Sequence, residues 1–209
     1  VQYYNELIEK DADLPQMCQR AAYQKEMLET YPFHPELLNT LNRKVATIPN
    51  FNQTRGVLRL LAWTVRRLWD ERPANTWLIH LHHLNLADSS IAGDLTSRLE
   101  RERLKHAIEA DIFSNLMGIH AHAQRIDAPL ITAGRPPYAT LLSTVVFINS
   151  LTSGISNGID SSDLFLAVLA PQIQGGDDPA VVRSALEKLE RTAWFMEYDG
   201  HRYRFKTEP

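Results

Sequence analysis

The sequence predicts a mainly α-helical protein, built as two domains and ending in a β-hairpin. Three observations predict it. Apolar residues recur at the helical period through 31–72, 88–127 and 138–192. Pro129, Gly134, Pro136 and Pro137 form the densest cluster of helix breakers, which sets a domain boundary between 1–130 and 138–209. Asp199-Gly200, a strong two-residue turn signal, separates two short runs suited to strands.

Residues 1–15 are polar, with Leu7 and Ile8 as an isolated apolar pair, and this end is expected to fray. A helix over 16–29 has Met17, Ala21, Met27 and Leu28 for contacts. Pro35 suits a first helical turn and leads Leu37, Leu38 and Leu41. Pro49, Asn50 and Asn52 then read as a turn, and Thr54 as the N-cap of the next helix. Leu58, Leu61, Val65, Leu68 and Trp69 fall on one face of that helix and are its expected core side, with Arg55, Arg59 and Arg66 as a stripe beside it. Pro73 ends the helix near Arg72.

Trp77, Ile79 and Leu81 alternate with His80 and His82, which suggests a short extended segment. Asp88 or the serines after it cap a helix bearing Ile91, Leu95 and Leu99. The mixed-charge run at 98–106 reads as a solvated face with pairings such as Glu100 to Lys105. Leu104, Ile108, Ile112 and Leu116 step by four along one core face. Past the boundary, 138–152 is apolar nearly all round and reads as a buried helix. Glycines in 153–160 make a linker, and Asp160 or Ser161 caps a second helix that stops at Pro171. Gly175 and Gly176 begin a turn, and Pro179 begins a third helix with Val181, Val182, Ala185, Leu186 and Leu189 on one stripe. On the closing hairpin Tyr203 and Phe205 share one face, and Arg202, Arg204 and Lys206 the other. Three helices followed by a hairpin is the order of a winged helix.

Composition narrows the function classes. With 209 residues, 44% of them hydrophobic, the chain can bury a real core. A net charge of −3 argues against a strongly basic nucleic-acid binder. Cys18 stands alone, which leaves no disulfide framework and no thiolate zinc site, and reads as a small hydrophobe. No run approaches the roughly 20 apolar residues of a membrane span, so the cytoplasm is the expected compartment. A start at Val1 fits a piece cut from a longer protein.

YPFHPELL, the TRGVLRLLA helix, LADSSIAGDLTSRL, the TVVFINSLTSG region and ALEKLERTAWFMEYDGHRYRFKTEP together carry a resemblance. They resemble the family catalogued as domain of unknown function four-nine-nine, large prokaryotic proteins with an AAA+-type ATPase module, some encoded near phage-defence genes. The resemblance implies a helical AAA+-type lid domain followed by a winged helix. It also implies an upstream nucleotide-binding domain of the same protein as partner, with ATP and Mg²⁺ as cofactors there. This stretch has no glycine-rich phosphate loop of its own, so no catalysis is expected from it alone.

Two residue sets follow. AAA+ lids place an arginine about three residues after a glycine to reach the nucleotide, and Gly56-Val57-Leu58-Arg59 resembles that pattern. Arg59 is therefore a candidate nucleotide sensor, and Arg55 the alternative. Arg202, Arg204 and Lys206 are the candidate nucleic-acid contacts if the winged helix meets DNA. Alternating basic residues on an exposed strand also guard an edge against pairing. A third class, a metal-dependent enzyme, would rest on His80 and His82 with Asp88, His120 or His122; no metal site is predicted, because no third ligand is fixed nearby.

Overall fold

The computed structural model describes residues 2–208 apart from 75, 98, 100, 153, 155, 156 and 172–176. The described chain is mainly helical, with one two-stranded antiparallel hairpin at its C-terminal end. In order the helices are α1 (Gln2–Glu9), α2 (Ala21–Thr30), α3 (Pro35–Arg43), α4 (Gln53–Glu71), α5 (Ser89–Leu95), α6 (Leu104–Ala107), α7 (His122–Thr132), α8 (Tyr138–Asn149), α9 (Ser161–Val168) and α10 (Pro179–Thr192). Strands β1 (Met196–Tyr198) and β2 (Tyr203–Phe205) follow, with Met196 opposite Phe205 and Tyr198 opposite Tyr203. No described helix is long and apolar enough to cross a membrane.

Local chemistry sets the starts of α3, α5, α9 and α10. Asp88, Asp160 and Asp178 cap α5, α9 and α10 by accepting the backbone N–H of Ser90, Asp163 and Ala180. Pro35 and Pro179 open α3 and α10. The expected Thr54 cap shifts slightly: α4 begins at Gln53 behind a left-handed Asn52. The expected extended segment at 77–83 reduces to one parallel bridge, Phe33 to Ile79, before a 3₁₀ turn over Leu81–His83. The four-residue step from Leu104 also breaks, because α6 widens into a π-helical turn over Ile108–Ile112. Leu104, Ile108 and Ile112 are buried, while Leu116 lies beyond the turn and is exposed. The glycine turn at 175–176 and the Glu100 pairing lie outside the described residues.

The core is one contiguous apolar cluster from Tyr4 to Phe205, with α8 at its centre. This corrects one expectation. The first dozen residues do not dangle: Tyr4 and Leu7 are buried, and the Tyr3 hydroxyl donates to Asp177. The breaker cluster at 129–137 does not divide the core. Pro129 is carried inside α7, and Asp127 on that helix closes the turn onto α8. It accepts the N–H of Ala139 and Thr140, each at 2.8 Å, and the Thr140 hydroxyl at 2.7 Å.

Two further buried aspartates join distant segments. Asp111, in the π turn, accepts from Trp194 N at 2.9 Å, Phe195 N at 2.7 Å and His122 Nδ1 at 2.8 Å. It fixes α7 and the start of the hairpin to one point. Asp177 accepts from Tyr3, from Tyr138 Oη at 2.5 Å and from Ala170 N at 2.8 Å, which ties α1 to α8 and to the segment after α9. Burial pushes the carboxyls of Asp127 and Asp177 up, and their hydrogen bonds act the other way.

Replacing Asp111 by alanine strands two backbone N–H groups, at about 1–3 kcal/mol each. The expected loss in urea unfolding is roughly 2–5 kcal/mol. A change below about 0.5 kcal/mol, the scale of an ordinary surface substitution, would show that Asp111 does not hold the hairpin.

Candidate functional site

The sensor candidates sit on α4, which is rotated from the expected packing, with Leu61 still against the core and Leu68 half-buried. Gly56, Val57, Leu60 and Thr64 face the core. The reason is Gly56: a Cβ there would lie 2.1 Å from the carbonyl oxygen of Phe51, so only glycine lets the helix lie this close to the 48–52 turn. That contact turns Leu58, Val65 and Trp69 to solvent, at 60%, 40% and 69% exposure. Arg59 is not exposed beside a core stripe. Its Nε pairs with the buried Asp94 at 2.5 Å, and its guanidinium lies 5.8 Å over the Trp63 ring. Arg66 and Arg67 pair with Asp70 and Glu71 along the helix. Arg55 is exposed on the first turn, beside a groove of about 600 Å³ lined by Ala46, Ile48, Asn50 and Gln53.

The basic strand face is present but neutralised. Arg204 Nε meets Glu197 at 2.7 Å and its Nη1 meets Asp199 at 3.2 Å, while Lys206 meets Glu197 at 3.4 Å. Arg202 turns instead into a cleft of about 790 Å³ between α3, the end of α8 and the 157–163 segment. On α10, Arg183 reaches across to the Asp11 carbonyl at 2.7 Å, and Arg191 stands 4.0 Å from Glu187.

The cleft holds the most perturbed groups near the surface, and no sequence motif points to it. Lys44 donates to Asn149 Oδ1 at 2.7 Å and to the Gly158 carbonyl at 2.9 Å. Burial, then the nearby Arg202 charge, pulls its ammonium down to about 8. Burial and the charge of Asp163 push the Glu36 carboxyl up to about 7, and its Oε1 is sealed without a hydrogen-bond partner. Asp163 is pushed up to about 6 by burial and by Asp160. Burial opposes charge on Asp160 too, yet the Asp163 N–H and the Ser162 hydroxyl hold it below the usual carboxylate range. Asp160, as a helix cap, and Arg202, as a basic strand-face residue, are singled out by the sequence for other reasons; Glu36 and Lys44 are brought to them by the fold.

His34, His80, His82 and His83 form a cluster of packed rings, the first two buried and the last two half-buried. His34 lies on His80 at 4.4 Å between ring centres, His80 on His82 at 5.1 Å, and His82 on His83 at 4.4 Å. His34 Nδ1 accepts the Glu36 N–H, so its ring proton sits on Nε2 and donates to the Tyr4 hydroxyl oxygen. His83 Nδ1 accepts the His80 N–H at 2.8 Å. Burial pushes His34 down to about 3 and His83 to about 4, and holds His80 and His82 well below the ordinary range. Neutral imidazoles thus contribute stability that is full above about 6.5 and fades as pH falls through the folded values. Among the described residues no group of three or more His, Cys, Asp or Glu is arranged to hold a metal ion.

A family model described as the DUF499 second domain matches residues 3–206. The chain belongs to that family. No curated protein and no solved structure matches it. In this DUF499 domain, the match spans α1 through β2, so the cleft, the α4 stripe and the histidine stack all lie inside the family region.

Glu36→Gln isolates one titration in the cleft. The folded carboxyl sits at about 7 against an ordinary 4.5, so the native state holds a proton that the unfolded chain has lost between those values. Wild-type stability from this group is full below 4.5 and falls as pH rises through 7. The glutamine variant should therefore gain on wild type as pH rises, by on the order of 1–3 kcal/mol between pH 4.5 and 7.5 in urea unfolding. A difference that stays constant with pH would mean that Glu36 titrates as an ordinary carboxyl.

Proposed function

We propose that this chain is the helical and winged-helix portion of a prokaryotic AAA+-type ATPase. It would pass the nucleotide state of an upstream nucleotide-binding domain to a partner. The observation that carries the winged-helix reading is the antiparallel bridge between Ile159 and Tyr203, closed by two hydrogen bonds at 3.0 and 2.8 Å. It adds a short third strand between α8 and α9 to the hairpin, so the order is helix, strand, two helices, two strands. Gly158 belongs to the same joint: its φ is +85°, and a Cβ would lie 2.6 Å from the Tyr203 carbonyl oxygen. The family's description as a second domain supports a place inside a larger protein.

The relay role is supported by the shared core. A winged helix on a flexible tether would move independently of α4; here Asp111, through Phe195, and Asp177, through Tyr3, pin it to the preceding helices. The sensing role falls to Arg55, because Arg59 is already engaged by Asp94 and Trp63. Arg55 is exposed, carries no ion pair among the described residues and stands at the N-terminal end of a 19-residue helix, where the helix dipole favours an anion. ATP and Mg²⁺ would sit on the nucleotide-binding domain, with Arg55 reaching across. The nucleic-acid reading is the weaker one. Arg204 and Lys206 are held by Glu197 and Asp199, and neutralised cations release few counterions from DNA.

In the longer protein, Arg55→Ala should lower ATP turnover by about 10²–10³, the scale for a preorganised donor to developing charge. Arg59→Ala should act on stability instead: it leaves Asp94 buried without its guanidinium. Discounted for partial exposure, that amounts to about 1–3 kcal/mol, or roughly 3–10 °C in the melting temperature of this chain. Normal turnover in Arg55→Ala would remove the sensing role. An unchanged melting temperature in Arg59→Ala would remove the bracing role.

A further inference from the structure

We propose that the outer face of α4 is a docking seam for an acidic amphipathic helix. Arg55, Leu58, Ala62, Val65, Trp69 and Arg72 are all exposed. From Arg55 to Trp69 the spacing is three, four, three and four residues, the step of a coiled-coil seam, and Arg72 closes the row as the left-handed residue just past the helix. Nothing among the described residues covers them, because the close approach of Gly56 to Phe51 commits the opposite side of the helix to the core. A row of leucine, valine and tryptophan at this exposure is an apolar patch of the kind that marks a contact face, and Trp69 with its flanking arginine is the composition of a binding anchor.

Charge selects the occupant. The apolar row ends in an arginine on each side, Arg55 and Arg72, about 25 Å apart along the helix. Arg72 lies 5.6 Å over the Trp69 ring and has no ion pair among the described residues, and neither has Arg55. The acids closest in sequence, Asp70 and Glu71, are engaged by Arg66 and Arg67. A second copy of this chain is a poor match: antiparallel pairing sets Arg55 against Arg72, and parallel pairing sets each arginine against itself. A helix with an apolar seam and a carboxylate facing each end satisfies both arginines while it covers Leu58, Val65 and Trp69. The seam shares Arg55 with the nucleotide reading, so a docked helix and a nucleotide compete for that side chain; peptide binding to this chain without nucleotide tests the seam alone, and turnover in the longer protein tests the sensor.

The test uses two labelled helical peptides of about 21 residues with leucine along the seam, one with glutamate at both seam ends and one with lysine. Binding to this chain is followed by fluorescence anisotropy at about 50 mM salt, where exposed charges are weakly screened. The glutamate peptide should bind at least about 10-fold more tightly. The double variant Arg55→Glu/Arg72→Glu should invert the preference, and Trp69→Glu should abolish binding of both. All these positions are exposed, so the variants should unfold within a degree or two of wild type, a control read by circular dichroism. Equal binding of the two peptides, or binding of neither, would overturn the proposal. So would self-association in sedimentation velocity that Trp69→Glu abolishes, which would assign the face to a second copy, or retention on anionic vesicles lost in the same variant, which would assign it to a membrane surface.

Discussion

A carboxyl group that is wholly out of water must be given donors, and Asp111 takes its donors from places far apart in the chain. It sits in a π-helical turn, where one extra residue per turn re-aims the side chain. Two of its three partners are backbone N–H groups of Trp194 and Phe195, more than eighty residues later. The arrangement satisfies both sides: the entry to β1 has N–H groups with no helix or ladder to receive them, and the π turn has acceptors with no solvent. Asp127 and Asp177 repeat the logic at the start of α8 and at the N-terminal helix. Three buried aspartates thus make one folded unit out of segments that would otherwise meet only through apolar contact.

The sequence reveals this unit unevenly. Helices with a local cause are legible: proline at the first turn of α3 and α10, aspartate caps on α5 and α9, and the Asp199-Gly200 turn. The buried face of β2 is legible from its alternation. The orientation of α4 is not. Its most apolar stripe points outward, and the small residues Gly56 and Thr64 point inward, because a backbone-to-backbone approach decides the matter. Periodicity counts apolar side chains and is blind to a site chosen for the absence of one. The packing across 129–137 is not legible for a similar reason. Breakers mark a turn, but whether the flanking helices separate or pack depends on a residue such as Asp127, whose role shows only when its donors are in place.

Charge partners set the limits of function in the same way. Arg59, Arg204 and Lys206 belong to plausible cationic patterns in one dimension, yet each meets an acid in three. What the fold leaves accessible is different: Arg55 and Arg72 at the ends of an apolar row, and a cleft in which Glu36, Lys44 and Asp163 depart from their ordinary protonation ranges. A surface with apolar anchors and paired charges suits contacts with protein more than with a polyanion. That balance agrees with a module that couples neighbours inside a larger machine.

Coupling of that kind requires residues 138–206 and the preceding helices to open together. Native-state hydrogen exchange in low denaturant measures this directly. The amides of Phe195 and of α8 should exchange only through the same global opening, with the same denaturant dependence, as those of α3 and the buried face of α4. If 138–206 instead opened at a lower free energy and with a smaller denaturant slope, the two portions would be separate cooperative units, and the account of a rigid relay would be wrong.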